Sequence, residues 1–184
     1  MVAPPRRATL ADLARAEGKA ELVGGRVVHL VPTGIRPNEI AGNVYVSLRD
    51  YARKGGRGKA FTDNIGYTVP MLPSGRESFS PDASIYLGAL PANLMRFVEG
   101  PATFAVEVRS ENDYGAAAEA EMAAKRDDYF QAGTQVVWDV DPLAETITCY
   151  RANDPNPVVF RRGAIADAEP AVPGWRVPVD EVFA

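Results

Sequence analysis

The stretch TFAVEVRSEND, residues 103–113, sets a carboxylate inside an apolar run. Phe104, Ala105, Val106 and Val108 suit the interior of a sheet, yet Glu107 sits among them and Arg109 follows. An unpaired buried charge costs several kcal/mol or more, so Glu107 is paired, protonated or holding a metal ion. Three other positions could share its chemistry. Asp82 follows Pro81 at the entrance to an apolar strand, Glu21 lies in a first hairpin, and Lys125 falls 18 positions after Glu107 on a helix. Glu121, Lys125 and Tyr129 recur every four residues and share one helix face. Two neighbouring carboxylates repel unless a divalent cation neutralises them, and hard oxygen ligands are what Mg²⁺ takes. A lysine beside such an ion can orient water or hold a phosphate. A salt bridge from Arg109 or Lys125 would satisfy Glu107 equally well. Tyr129 reads as core packing, His29 as a structural or solvated hairpin residue, and Asp139 and Asp141 as a strand end outside the metal set.

These residues need elements to hold them. TLADLARAE begins with Thr9 as an N-cap and carries Asp12 in its first turn. KAELVGGRVVHLVP alternates and turns at Gly24-Gly25, a hairpin. PNEIAGNVYVSLRDYARKGG places Ile40, Val44, Leu48 and Tyr51 at helical spacing and stops at Gly55-Gly56. GKAFTDNIGYTVPML reads as a strand, and SFSPDASIYL as a loop entering another. ATFAVEVRS is the next strand. NDYGAAAEAEMAAKRDDYFQAG is a long helix with its cap at Asn112 or Ser110 and its stop at Gly133. TQVVWDVD is a buried strand, ETITCYRA and NPVVFRRG form edge or hairpin strands, and Trp175, Val179 and Phe183 of the tail pack back onto the domain. Residues 102–140 thus read strand–helix–strand, a crossover in a mixed sheet, so the fold class is α/β or α+β.

A chain of 184 residues, 46% hydrophobic and 24% charged, is expected to form one domain with a sizeable core. No run of about 18 apolar residues exists, so no membrane partner is expected. The single cysteine, Cys149, excludes an internal disulfide, and with one histidine it argues against zinc. Together with the lack of an apolar core after the N-terminal basic pair, it points to a cytoplasmic protein. A net charge of −4 argues against an overall basic surface but leaves room for a local strip, the densest being RKGGRGK at 53–59. That strip is either a nucleic-acid contact or a solvated glycine-rich turn. No GxSxG elbow or glycine-rich phosphate loop is present.

AELVGGRVV, SPDASI, FAVEVRS, the later lysine with DYFQAG, VVWDVDP and VPGWRVPVDEVF together resemble the Uma-type family of putative restriction endonucleases, in the PD-(D/E)xK nuclease superfamily. The resemblance runs from about residue 9 to 183. It implies a restriction-endonuclease-like PD-(D/E)xK fold over residues 1–184, a mixed central β-sheet flanked by helices. It also implies an Mg²⁺- or Mn²⁺-dependent endonuclease hydrolysing DNA, cytoplasmic and homodimeric. Pro81-Asp82 matches the PD, Glu107 the second acidic residue, and Lys125 the family lysine on the following helix. Glu21 matches the glutamate of the opening segment, where Ala20 stands in place of tyrosine. The resemblance thus implies metal ligation by Asp82, Glu107, the Val108 carbonyl and Glu21, and catalysis by Asp82, Glu107 and Lys125. Arg109 occupies the third position of the (D/E)xK triplet, where it would bind phosphate or pair with Glu107. The alternative is a non-catalytic nucleic-acid- or protein-binding module that keeps the nuclease fold.

Overall fold

The computed structural model describes residues 6–55 and 57–184; Gly56, the second glycine of the expected helix stop, lies outside them. In chain order the elements are α1 (Leu10–Leu13), β1 (Ala20–Val23), β2 (Arg26–His29), α2 (Ile35–Arg53), β3 (Lys59–Thr62), β4 (Tyr67–Thr68), β5 (Ser78–Phe79), β6 (Ala83–Tyr86), β7 (Val98–Glu99) and β8 (Phe104–Val108). Then follow α3 (Ala116–Ala132), β9 (Val136–Asp141), β10 (Thr146–Arg151), β11 (Asp154–Arg161), β12 (Ile165–Asp167), β13 (Arg176–Pro178) and α4 (Val179–Val182).

Six strands form a central sheet in the order β11-β10-β9-β8-β6-β3. Only β8 and β9 run parallel, joined through α3; the other neighbours are antiparallel. This is a mixed α+β architecture, with the expected strand–helix–strand crossover at its centre. Side-chain alternation divides the core between the two sheet faces. Phe104, Val106 and Val108 of β8, with Val136, Trp138 and Val140 of β9, join Ile40, Val44 and Leu48 of α2. The tail closes that layer, burying Trp175, Val179 and Phe183. Ala105 and Val137 point the other way and join Tyr67, Phe79 and Tyr129 of α3. Glu107 is one alternation beyond Ala105, so it faces α3 rather than the larger core.

Two local expectations are corrected. GKAFTDNIGYTVPML is not one strand: β3 lies in the central sheet, whereas β4 pairs with β5 and β7 in a separate three-stranded sheet. The break is at Asn64, which takes a left-handed φ of 67° while its amide donates to Asp63 Oδ1. The long helix also begins later than Ser110 or Asn112. Ser110 donates from both its amide and its hydroxyl to Asp113, closing a turn of its own, and α3 starts after Gly115. Its stop is at Gly133, with φ 109°.

Candidate active site

Asp82 owes its position to the edge of the β6–β8 ladder. Its amide donates to the Val106 carbonyl, and its Oδ2 accepts the Val108 amide at 2.8 Å, so the side chain extends the strand pairing past Pro81. The contact seen at Val108 is thus through its N–H. Glu107 leaves the next strand toward α3, where Tyr129 donates to it at 2.6 Å and Lys125 lies 3.0 Å away. Lys125 also reaches Glu21 at 3.1 Å, and Glu21 accepts the Ser80 amide at 2.9 Å. The four charged residues expected at the site, with Val108, therefore line one cleft of about 520 Å³. Arg53, Lys54, Arg57 and Lys59 of the basic strip are exposed and lie outside that lining.

Arg109 does not pair with Glu107. Its guanidinium grips Asp139 through two bonds of 2.8 and 2.7 Å and also meets the exposed Glu119. Four further charged residues join the network, three of which, Lys19, Asp63 and Arg76, line the cleft. Lys19, two residues before Glu21, bridges Asp63 at 2.6 Å and Asp82 at 2.7 Å. Arg76 binds Glu21 and, at 2.9 Å, the buried Asp128. Spacing could have found two of them. Lys19 sits two positions before Glu21 in the turn that enters β1, and Asp128 lies three residues beyond Lys125 on the same helix face. Asp63 comes from a turn and Arg76 from an isolated bridge to Val23, and neither carries such a signal.

The charges bias one another strongly. Burial pushes the Glu107 carboxyl above its ordinary pKa; Lys125 opposes this, but Asp82 and Glu21 add to it. Burial would do the same to Glu21, yet Lys125, Arg76 and the Ser80 amide outweigh it and hold that group low. For Lys125 burial favours the neutral amine, but Glu107 and Glu21 overcome it and raise its pKa. Lys125 is therefore a fixed ammonium, suited to charge stabilisation and unsuited to accepting a proton. Burial and Glu107 together also push the Tyr129 hydroxyl well up, so it remains a donor.

The ion-pair chains Asp63–Lys19–Asp82 and Glu107–Lys125–Glu21–Arg76–Asp128 set five carboxylates against three cations, a surplus of two negative charges when all are ionised. The donor set is all oxygen, which fits a hard divalent ion. Among the described residues no three acidic, His or Cys side chains form a ready ligand group. Lysine ammoniums stand between the carboxylates instead.

A family model for Uma2, described as "Putative restriction endonuclease", matches residues 7–180. Among solved structures, "a putative nuclease belonging to DUF820" from Anabaena variabilis ATCC 29413 is similar, with a TM-score of 0.74 and 16% sequence identity over 95% of this chain and 97% of that one. At that identity the likeness is one of fold. None of the curated proteins matches.

Proposed function

The chain belongs to the Uma2 family of putative restriction endonucleases, and from that premise we propose that it hydrolyses DNA phosphodiester bonds with a divalent ion, Mg²⁺ or Mn²⁺, at Asp82 and Glu107. The observation that carries this reading is the convergence of Glu21, Asp82, Glu107 and Lys125 on one cleft with negative charge in surplus. A bound ion would lower the pKa of a water and offset charge on the leaving oxygen. The protein's own groups do the rest. Tyr129 and the Val108 amide fix the two carboxylates. Lys125 supplies a permanent positive charge for the phosphoryl oxygens as negative charge develops there. Glu21, which holds Lys125 and Arg76, would be an outer or second-metal ligand, and the Val108 carbonyl would supply a backbone ligand, as the family resemblance implies. Cutting both strands would call for a homodimer.

A plasmid-nicking assay with Mg²⁺ or Mn²⁺ tests the reading. Asp82→Ala and Glu107→Ala are each expected to lower the rate by about a hundredfold or more, as loss of a central electrostatic group does. Equal activity in all three proteins would reject it. A second reading, a non-catalytic module, is favoured by one observation: Asp82 and Glu107 each already have a lysine partner. That reading requires an intact protein that neither nicks DNA nor binds Mn²⁺.

A further inference from the structure

Lys19 reaches the cleft from the turn before β1, and its side chain is 17% exposed. Its ammonium bridges Oδ1 of Asp63 and Oδ1 of Asp82 at 2.6 and 2.7 Å. Each of those carboxylates is also fixed by a bond that does not involve Lys19. Asp63 Oδ1 accepts the Asn64 amide at 2.7 Å, and Asp82 Oδ2 accepts the Val108 amide at 2.8 Å. Lys19 thus bridges two independently held acids, one of which is the acid assigned above to a divalent ion. An ion at Asp82 and the ammonium of Lys19 compete for the same oxygen, because two cations on one carboxylate repel. Lys19 need not leave the cleft to yield, since Asp63 offers a second partner at equal reach. Asp63 is itself 33% exposed on its side chain, so it can keep the ammonium at little cost in desolvation.

Resting on the proposed nuclease reading, we propose that Lys19 is a positioning residue whose ammonium, shared between Asp82 and Asp63, gives up Asp82 and is kept by Asp63 alone when a divalent ion binds. Asp63 then sets how readily the ion displaces the lysine. The two residues have opposite effects on metal affinity, and Asp63 acts only through Lys19.

Calorimetric titration of the full chain with MnCl₂ tests this with wild type, Lys19→Met, Asp63→Asn and the double variant. Lys19→Met is expected to bind Mn²⁺ about tenfold tighter, having lost a competing charge. Asp63→Asn should bind about tenfold weaker, because Lys19 is left with Asp82 alone. On the Lys19→Met background, Asp63→Asn should change the Kd by less than about twofold. Unchanged or weaker binding by Lys19→Met overturns the inference. So does an equal loss from Asp63→Asn on both backgrounds, which would make Asp63 a ligand or a plain field effect. Circular dichroism and thermal melting check each fold, and failure of both Lys19→Met and Lys19→Gln to fold would mark a structural ion pair and equally overturn it. Wild type that binds no Mn²⁺ overturns the nuclease reading and this inference together. Wild type that binds, with Lys19→Met no tighter, overturns this inference alone.

Discussion

Tyr129 packs and orients at once. Its ring stacks on Phe79 with centroids 4.2 Å apart, while its hydroxyl donates to Glu107 at 2.6 Å. Tyr129→Phe keeps the stack and removes only the donor. Because the Glu107 side chain is 27% exposed, water can take over part of the lost bond. The expected loss of stability is therefore modest, about 1 kcal/mol by urea denaturation. The nicking rate should fall further, about tenfold, since the carboxylate loses one of its two orienting partners. An unchanged rate would leave Lys125 as the sole group orienting Glu107. The sequence pattern points to core packing for Tyr129 and gives no sign of the bond to Glu107. Its spacing from Lys125 shows that both share a helix face, and the strand–helix–strand pattern gives the crossover, but which face of the helix turns to the Glu107 strand is decided only by tertiary packing. Arg76 is less legible still, because an arginine in an isolated bridge to Val23 joins Glu21 and Asp128 only after hairpin, loop and helix have packed.

Elements were more legible than the contacts between them, since period and punctuation are local properties. The hairpin at Gly24-Gly25, the apolar face of α2 and the stop of α3 at Gly133 all follow from such signals. Structure departs from the sequence pattern where a polar side chain bonds a nearby backbone amide: Asp63 turning the chain at Asn64, and Asp113 holding Ser110 ahead of α3. The cap of α1 was readable because Thr9 and Asp12 satisfy each other's backbone amides three residues apart. This pair predicts a pH effect. The Thr9 hydroxyl, then its amide, then Arg15 bind the Asp12 carboxylate and hold its pKa down, from 3.8 to about 2. A carboxyl lowered in the folded state stabilises the fold above its unfolded value and loses that contribution as pH falls. The cap should thus be intact above pH 3.8 and weaken as pH drops through about 2. Carbon-detected NMR titration of Asp12 should show that low midpoint in wild type, and Thr9→Ala should move it up toward 3.8. A midpoint indifferent to Thr9 would assign the depression to Arg15 and the basic N-terminal segment.

At the scale of the whole molecule, the net charge of −4 and the acidic surplus in the cleft act in the same direction. A phosphate chain approaching metal-free protein meets repulsion where the proposed chemistry takes place. Lys19, Arg76 and Lys125 do not relieve it, since each is already committed to carboxylates. Steering by a basic coat is therefore not how this fold would bind DNA, and a divalent ion would serve affinity as well as reaction. The consequence is opposite to that for a protein with a basic binding face. Replacing Asp82 and Glu107 by Asn and Gln removes two negative charges and frees part of Lys19 and Lys125. In EDTA, the double amide variant should bind a short duplex about tenfold tighter than wild type at low salt. The gain should shrink by 0.15 M salt, where screening acts over about 8 Å. Adding Mg²⁺ should tighten wild type and leave the amide variant nearly unmoved, because the variant lacks the acids that hold the ion. Fluorescence anisotropy of a labelled duplex measures all of this, and a variant that binds no better than wild type in EDTA would show that the DNA path does not cross these carboxylates.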